Sequence, residues 1–448
     1  MPRSDPPRAA RARVAAFALL FFSSLGVVPA LAQEDSGLVG AIPVRFSLVP
    51  PGARSLAMGG AFVGFADDAT AAWTNPAGLT SLARTEVAIE GRRTETPSES
   101  LELSVVEGTG ADPRRTRLEI EDSSVDSLSF VSWTYPREQW TAGVFYHRLA
   151  DQSLRGTGGG GFVGGEAFSS VSAFDLGISG AGASLAVRLN DAVSLGLTLV
   201  EYEIALESVF DSLRGATKNT TRRVVGDDRS LGGIVGLLWT GQRFQIGAVY
   251  RIGPEFDADS TLTCGGTLHP GPSQDPRDPD CFERPVGFVV DSRPSVFRVP
   301  DSMGIGLAWR PTPQLSIGLD VIHTTYSDLA EGATAVFTRK RARFEIEDST
   351  EPHLGIEWRI PLRQERQLFL RAGAWQEEDH RLVYVRPAPG SPAFSPTLDR
   401  LYPAEQGPDE THYSFGLGWT TGVRFQLDAA ADFSDPVDVY SVSAVCRF

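Results

Sequence analysis

Carboxylates, imidazoles, thiols and glycine-rich turns are the groups from which a reactive site is built, and in this chain none of them falls into a catalytic arrangement. The adjacent pair Asp67-Asp68 offers two carboxylates for acid–base work, but no histidine or serine stands at a spacing that would complete it. Capping of a short helix or contact with an arginine accounts for the pair better. The run Gly156-Thr157-Gly158-Gly159-Gly160-Gly161 lacks the Gly-Lys-Ser/Thr that a phosphate loop requires and reads as an exposed loop. Asp275, Asp278 and Asp280 beside Cys281 do not follow an EF-hand pattern. The six histidines, His147, His269, His323, His353, His380 and His412, are scattered, with neither a zinc motif nor a nucleophile elbow. The expectation is a protein with no enzymatic activity, no cofactor and no metal site.

Residues 1–32 have the form of a secretory signal peptide. Arg3, Arg8, Arg11 and Arg13 precede the apolar run Val14 to Val28, and Ala30-Leu31-Ala32 supplies the small-x-small cleavage pattern. No other segment offers the roughly 18 uninterrupted apolar residues of a spanning helix. The mature chain is therefore either soluble outside the cytoplasm or crosses a membrane with strands. The formal charge of the full chain, −15, makes nucleic acid a poor partner. Of the 3 cysteines, Cys264 and Cys281 share one Pro/Asp-rich segment and are expected to close a loop disulfide, with Cys446 left over.

After residue 83 the pattern has period 2, the signature of strands with two unlike faces. In 243–252, Phe244, Ile246, Ala248, Tyr250 and Ile252 alternate with Arg243, Gln245, Gly247, Val249 and Arg251. Fourteen such segments can be read between residues 84 and 448. Tight turns at Arg137-Glu138, Asp191, Gly241, Pro311-Thr312-Pro313, 361–365 and Thr421-Gly422 alternate with polar excursions at 107–117, 151–169, 210–228, 257–295, 328–349 and 378–409. Short turns on one side and long loops on the other, with an even strand count, predict an antiparallel transmembrane β-barrel of the bacterial outer membrane. Strand parity supports this: Trp133, Trp239, Trp309, Trp358 and Trp419 end even strands and Trp140 begins an odd one, so 6 of the 8 tryptophans fall at one edge, as an interfacial girdle requires. The same parity places Arg251, Arg310, Arg359, Arg371 and Arg424 inside with Asp320, Glu357, Asp428 and Asp432, beside the apolar Leu128, Phe130, Phe145, Ile234, Leu238, Phe369 and Trp375.

Ahead of the barrel lies Pro51 to Leu82, rich in Gly and Ala, studded with Met58, Phe62, Phe65 and Trp73, and broken by Asn75-Pro76-Ala77. Gly52-Ala53-Arg54, Met58-Gly59-Gly60-Ala61-Phe62-Val63, Ala66-Asp67-Asp68-Ala69 and Asn75-Pro76-Ala77-Gly78-Leu79 resemble the N-terminal region of the FadL/TodX family of outer-membrane transporters for hydrophobic compounds. The fourteen-strand count and the C-terminal Phe448 extend the resemblance over nearly the whole mature chain. It implies a hatch of residues 33–83 inside a barrel of residues 84–448, gated around Asn75, Pro76, Ala77, Gly59 and Gly60, with Asn75-Pro76-Ala77 facing the strand Trp140 to Ala150. Phe62, Phe65, Phe130, Phe145, Phe369 and Trp375 become candidate ligand-lining residues. The implied partners are a hydrophobic small molecule such as a long-chain fatty acid or an aromatic hydrocarbon, outer-membrane lipid and lipopolysaccharide, and the barrel-assembly machinery through the C-terminal strand. PorV-like barrels, which serve as secretion or assembly partners, share the Met-Gly-Gly and Asn-Pro-Ala stretch and give the alternative reading.

Overall fold

The computed structural model describes residues 48–105, 114–163, 166–214, 217–264, 285–329, 344–380, 383–385, 409–435 and 437–448. The signal peptide and residues 33–47 lie outside them. Fourteen antiparallel strands follow the chain: β1 (Glu86–Thr96, continued by Glu99–Val105), β2 (Arg114–Ile120 and Ser123–Pro136), β3 (Trp140–Val163), β4 (Glu166–Arg188), β5 (Val193–Arg214), β6 (Thr217–Thr240) and β7 (Phe244–Ile252 and Glu255–Cys264) form the first half. The second half is β8 (Val289–Arg298 and Ser302–Thr312), β9 (Leu315–Thr324), β10 (Ser349–Pro361), β11 (Arg366–Glu377), β12 (Glu410–Thr421), β13 (Phe425–Phe433) and β14 (Asp438–Arg447). Each strand pairs with its sequence neighbours, and β1 pairs with β14 from Glu86↔Arg447 to Glu95↔Asp438, so the sheet closes on itself. Closure removes the unpaired edges that lipid could not satisfy.

The expected outer surface is present. Leu195, Leu197, Leu199, Val235, Leu237, Ile246, Ile305, Leu319, Val321, Leu354, Ile356 and Leu417 all point outward and are exposed. At the short-turn edge Trp133, Trp140, Trp239, Trp309 and Trp358 are exposed too, with Trp133 on Tyr135 and Phe244 on Trp309 at ring-centroid distances of 5.9 and 6.0 Å. Of the three remaining tryptophans, Trp419 is half-buried at the same edge, and Trp73 and Trp375 are inside.

Two expectations need correction. The segments 151–169 and 210–228, and the ends 257–264 and 289–295 of a third, are not loops where described: β3, β4, β5 and β6 run for 24, 23, 22 and 24 residues, against the roughly 9–11 that cross a bilayer. The glycine run 156–161 therefore lies in strand β3. The reason is a change of phase that keeps the period of 2. Along β5 the outward residues pass from Leu195, Leu197 and Leu199 to Glu201, Glu203 and Glu207, while the inward ones pass from Ser194, Gly196 and Thr198 to Val200, Tyr202, Ile204 and Leu206. Outside the bilayer the outer face meets water and carries ion pairs such as Arg223–Glu207 at 2.7 Å and Arg155–Asp175 at 2.8 Å. The second correction concerns Leu128, which is half-exposed and faces outward: the β1–β2 register shifts between Glu90 and Gly91, so Ser129 is an extra residue and only Phe130 keeps the inward phase.

A barrel of fourteen strands encloses more space than its own side chains fill, since about eight strands already give a filled interior. Residues 48–83 pack against the inward-facing side of the barrel wall. They form α1 (Ala53–Ala57), α2 (Ala71–Thr74) and a 3-10 helix (Pro76–Ser81), elements far too short to be stable alone. Met58, Phe62, Phe65, Trp73 and Leu79 are fully buried.

Candidate functional site

With so little regular structure, the N-terminal segment must find partners elsewhere for its buried peptide groups, and the barrel wall supplies them. Carboxylates accept its amides: Glu90 from Gly52 at 2.8 Å, Glu86 from Ala69 at 3.1 Å and Asp320 from Val63 at 2.6 Å. Its carbonyls accept from the wall in turn, Thr74 from Arg251 at 2.7 Å and Ala72 from Thr198 and Ser184 at 2.9 and 3.0 Å. Small inward residues let the two backbones approach. A Cβ on Gly373 would collide with the Gly59 backbone, on Gly355 with Met58, on Gly196 with Pro76 and Ala77, and on Gly247 with Val63. Gly59 itself has φ +61°, a conformation that favours glycine.

An ion network ties the same surfaces. The Arg54 guanidinium spans both oxygens of Glu357, at 2.9 and 3.2 Å, and reaches Asp67 at 2.6 Å. Arg371 bridges Glu357 and Asp428 at 2.7 Å each, and Arg310 holds the second oxygen of Asp67 at 3.0 Å. Burial lowers the proton affinity of Arg54, yet Asp67, Glu357 and Asp68 outweigh it and hold the group well above its ordinary value. Asp68 accepts the Thr70 amide at 3.0 Å just before α2, so the acidic pair is structural. Arg424, expected inside, is exposed at the turn before β13.

Asn75-Pro76-Ala77 does not face β3. Asn75 Nδ2 donates to Leu237 O on β6 at 3.2 Å and to Val63 O at 3.1 Å, and Pro76 and Ala77 lie against Gly196 of β5 and Gly236 of β6. The displacement follows from glycine placement: the wall admits a turn of backbone where Gly196, Gly236 and Gly247 adjoin, whereas β3 presents Phe145 and His147 inward. Contact with β3 comes instead from Leu79, near Gly143, and from Trp73, whose ring centroid is 4.5 Å from that of His147. Replacing Asn75 by alanine removes the donor to the buried Val63 carbonyl and the part-buried Leu237 carbonyl, and the acceptor for the Ala77 amide. We expect a cost of about 1–3 kcal/mol and hydrogen exchange across residues 61–78 faster by about tenfold or more, read by mass spectrometry.

The six candidate lining aromatics are all on inward or enclosed positions, and among the described residues they fall into separate packed groups. Phe62 and Phe65 pack with Met58 and Ala308. Phe130 and Phe145 stack at 5.8 Å in a separate cluster with Trp73. Phe369 lies under the Arg371 guanidinium at 5.1 Å, and Trp375 is sandwiched between His353 and His412 at 5.3 and 3.8 Å. A small cavity beside α1, lined by Arg54, Glu90, Phe130 and Asp428 among others, holds Phe130 alone of the six. Cys264 is half of a disulfide and Cys446 is free; Cys281 lies outside the described residues.

Sequence reasoning missed a larger apolar surface. Above the glycine wall, Phe174, Leu176 and Ile178 of β4, Val200, Tyr202, Ile204 and Leu206 of β5, and Phe256 of β7 point inward as one buried cluster that reaches Trp73 and Leu149. Its signal was the phase change described above. The cluster abuts a break in the wall. The β2–β3 ladder runs from Pro136↔Thr141 to Phe130↔His147 and resumes only at Ile120↔Gly156. No ladder pair joins the residues between, and β3 carries a bulge there, at Leu149, in its register with β4. Trp73 and Phe130 stand behind the break, with Arg251 4.7 Å from the Trp73 ring.

A closed fourteen-stranded barrel with a lipid-facing apolar belt and an aromatic girdle defines an outer-membrane β-barrel. The family model described as outer membrane protein transport protein (OMPP1/FadL/TodX) matches residues 51–377, and the chain belongs to that family of outer-membrane transporters of hydrophobic compounds. Among solved structures, the fold is similar to that of a Pseudomonas aeruginosa FadL homologue, with a TM-score of 0.60 at 14% identity over 90% of this chain and 99% of that one. It is also similar to the Ralstonia pickettii toluene transporter TbuX (0.57, 12%, 90% and 99%) and the Pseudomonas putida toluene transporter TodX (0.53, 13%, 89% and 98%). No curated protein sequence matches the chain.

Proposed function

We propose that the protein takes up hydrophobic small molecules, long-chain fatty acids or aromatic hydrocarbons, by passive diffusion through this interior, with residues 33–83 as the hatch. The observation that carries the reading is the apolar cluster of β4, β5 and β7 leading to the interrupted β2–β3 ladder. A ligand leaves water at the external strand extensions, exchanges contacts along Phe174, Tyr202 and Ile204, and displaces Trp73 from His147. It then leaves sideways between β2 and β3 into the membrane, where an apolar solute is already at low free energy. Asn75, Pro76 and Ala77 fix the hatch on β5 and β6 while Gly59 and Gly60 fix it on β10 and β11, so the gating movement belongs to the Trp73 side. A docking platform for other proteins would have no use for an apolar inward face, which favours transport over the secretion-partner reading.

Deleting the bulge residue Leu149 tests the route. The deletion restores continuous register with β4 and allows β3 to pair with β2 across the break. We expect a barrel that still migrates as a folded species, with uptake of radiolabelled oleate or toluene by whole cells reduced at least about tenfold, the scale of one lost exit step. Unchanged uptake in a folded deletion variant would sink the lateral route, and unchanged selective uptake after removal of residues 33–83 would sink the hatch.

A further inference from the structure

A second cluster, away from the proposed route, draws together residues that the sequence keeps apart. Glu377 ends β11 and Glu410 begins β12 on the far side of the 378–409 excursion, and the β11–β12 ladder sets them directly opposite one another. Two residues further along β12, His412 is buried at 5% exposure. One ligand atom from each of Glu377, Glu410 and His412 lies within 4.8 Å of the other two. Three donors around a common ion at about 2.1 Å stand about 3.4–3.6 Å apart, so an inward shift of less than about 1 Å per side chain closes the set.

The histidine is aimed. Its Nδ1 donates to Asp432 Oδ2 at 2.8 Å, and Trp375 stacks on its face at 3.8 Å. That leaves Nε2, which is buried and makes no hydrogen bond, directed at Glu377 Oε2 3.5 Å away. A carboxylate bonded to one imidazole nitrogen with the other nitrogen turned to further ligands is the usual support for a metal-bound histidine. His380 stands on the other Glu377 oxygen, 3.7 Å away, outside the three-atom set.

We propose that Glu377, Glu410 and His412 form a binding site for a first-row divalent transition-metal cation of the zinc type, with Asp432 as the outer partner that orients His412. Imidazole with two carboxylates suits such an ion better than calcium, which takes six to eight oxygens. Three protein ligands leave a coordination position for water. The site is inside the external mouth, and the stack His412–Trp375–His353 connects it to Gly59, whose carbonyl is bonded to His353 Nδ1 at 2.7 Å.

The test uses the untagged full-length protein, purified in detergent, stripped with EDTA and titrated with ZnCl2. We expect one bound equivalent by metal analysis, a change in Trp375 fluorescence on binding, and an absorption spectrum typical of a nitrogen–oxygen site when Co2+ replaces zinc. Glu377→Gln with Glu410→Gln, isosteric changes that preserve folding, should weaken binding at least about 100-fold, and Asp432→Asn about 10- to 100-fold. His323→Ala, on β9, should bind as the parent does. Less than one equivalent in the parent protein, or undiminished affinity in the double Gln variant, overturns the proposal. Loss of binding in the His323 variant places the ion elsewhere and overturns it equally. Heat-modifiable migration of every variant shows that the barrel is folded.

Discussion

Valine at Gly373 should turn the barrel into a leaky pore. The added Cβ meets the backbone nitrogen of Gly59 and the backbone carbon of Met58, so no rotamer relieves the clash, and β11 is fixed on both sides by ladders to β10 and β12. The side with fewer constraints is the N-terminal segment, which must retreat. Overpacking of this kind costs about 1–3 kcal/mol where the structure can yield. Here the yielding element is the one that fills the lumen. The outer face is untouched, so assembly should proceed, while conductance in planar bilayers and sensitivity of cells to large hydrophilic antibiotics should rise about tenfold or more. Gly91→Val is the matched control, because the nearest atom to its Cβ would be Ser127 O at 4.0 Å. Equal conductance in the two variants would show that the segment does not seal the barrel.

The second large effect is expected at Arg371. Its side chain is wholly buried and neutralises Glu357 and Asp428 together, while Glu357 also receives Arg54. Arg371→Met removes a charge of similar length and leaves acidic groups without their shared cation. Removing one partner from a buried ion pair costs about 3–5 kcal/mol. The urea midpoint for unfolding from lipid vesicles should fall accordingly. Adding Asp428→Asn should recover part of the loss, because the surplus charge rather than the lost packing dominates. A double variant no more stable than the single one would show that packing dominates instead.

Much of this architecture can be read from the chain because a lipid-facing strand has only two kinds of environment, and alternation at period 2 records both. The girdle is legible for the same reason: Trp133, Trp239, Trp309 and Trp358 mark strand ends without any three-dimensional information. The external ends of β3 to β6 are not. Above the bilayer the apolar and polar faces exchange, and stretches such as Gly156 to Gly161 then resemble loop composition. Leu128 shows a related limit, since one bulged residue reverses every face downstream and leaves no compositional trace.

Parity assigns a residue to the interior but does not say what it meets there. That is why Phe130 and Phe369 were legible as inward residues, but not that one stacks on Phe145 and the other lies under the Arg371 guanidinium. The seat of Asn75-Pro76-Ala77 on β5 and β6 depends on which wall glycines adjoin, a relation among Gly196, Gly236 and Gly247 that exists only after pairing. Glu377, Glu410 and His412 are hidden in the same way, because a ladder and not a sequence interval brings them together.

The exchange of faces along β5 has a consequence for where a solute first escapes water. Outward apolar residues stop at Leu199, and inward ones begin at Val200 and continue through Leu206. At about 3.3 Å per residue, those seven positions carry a dry inner surface roughly 20 Å further along the strand than the outer greasy one. The apolar inner face thus continues past the level at which the outer apolar belt ends. On the proposed route, an oily molecule leaves water there, before it reaches the level of the bilayer.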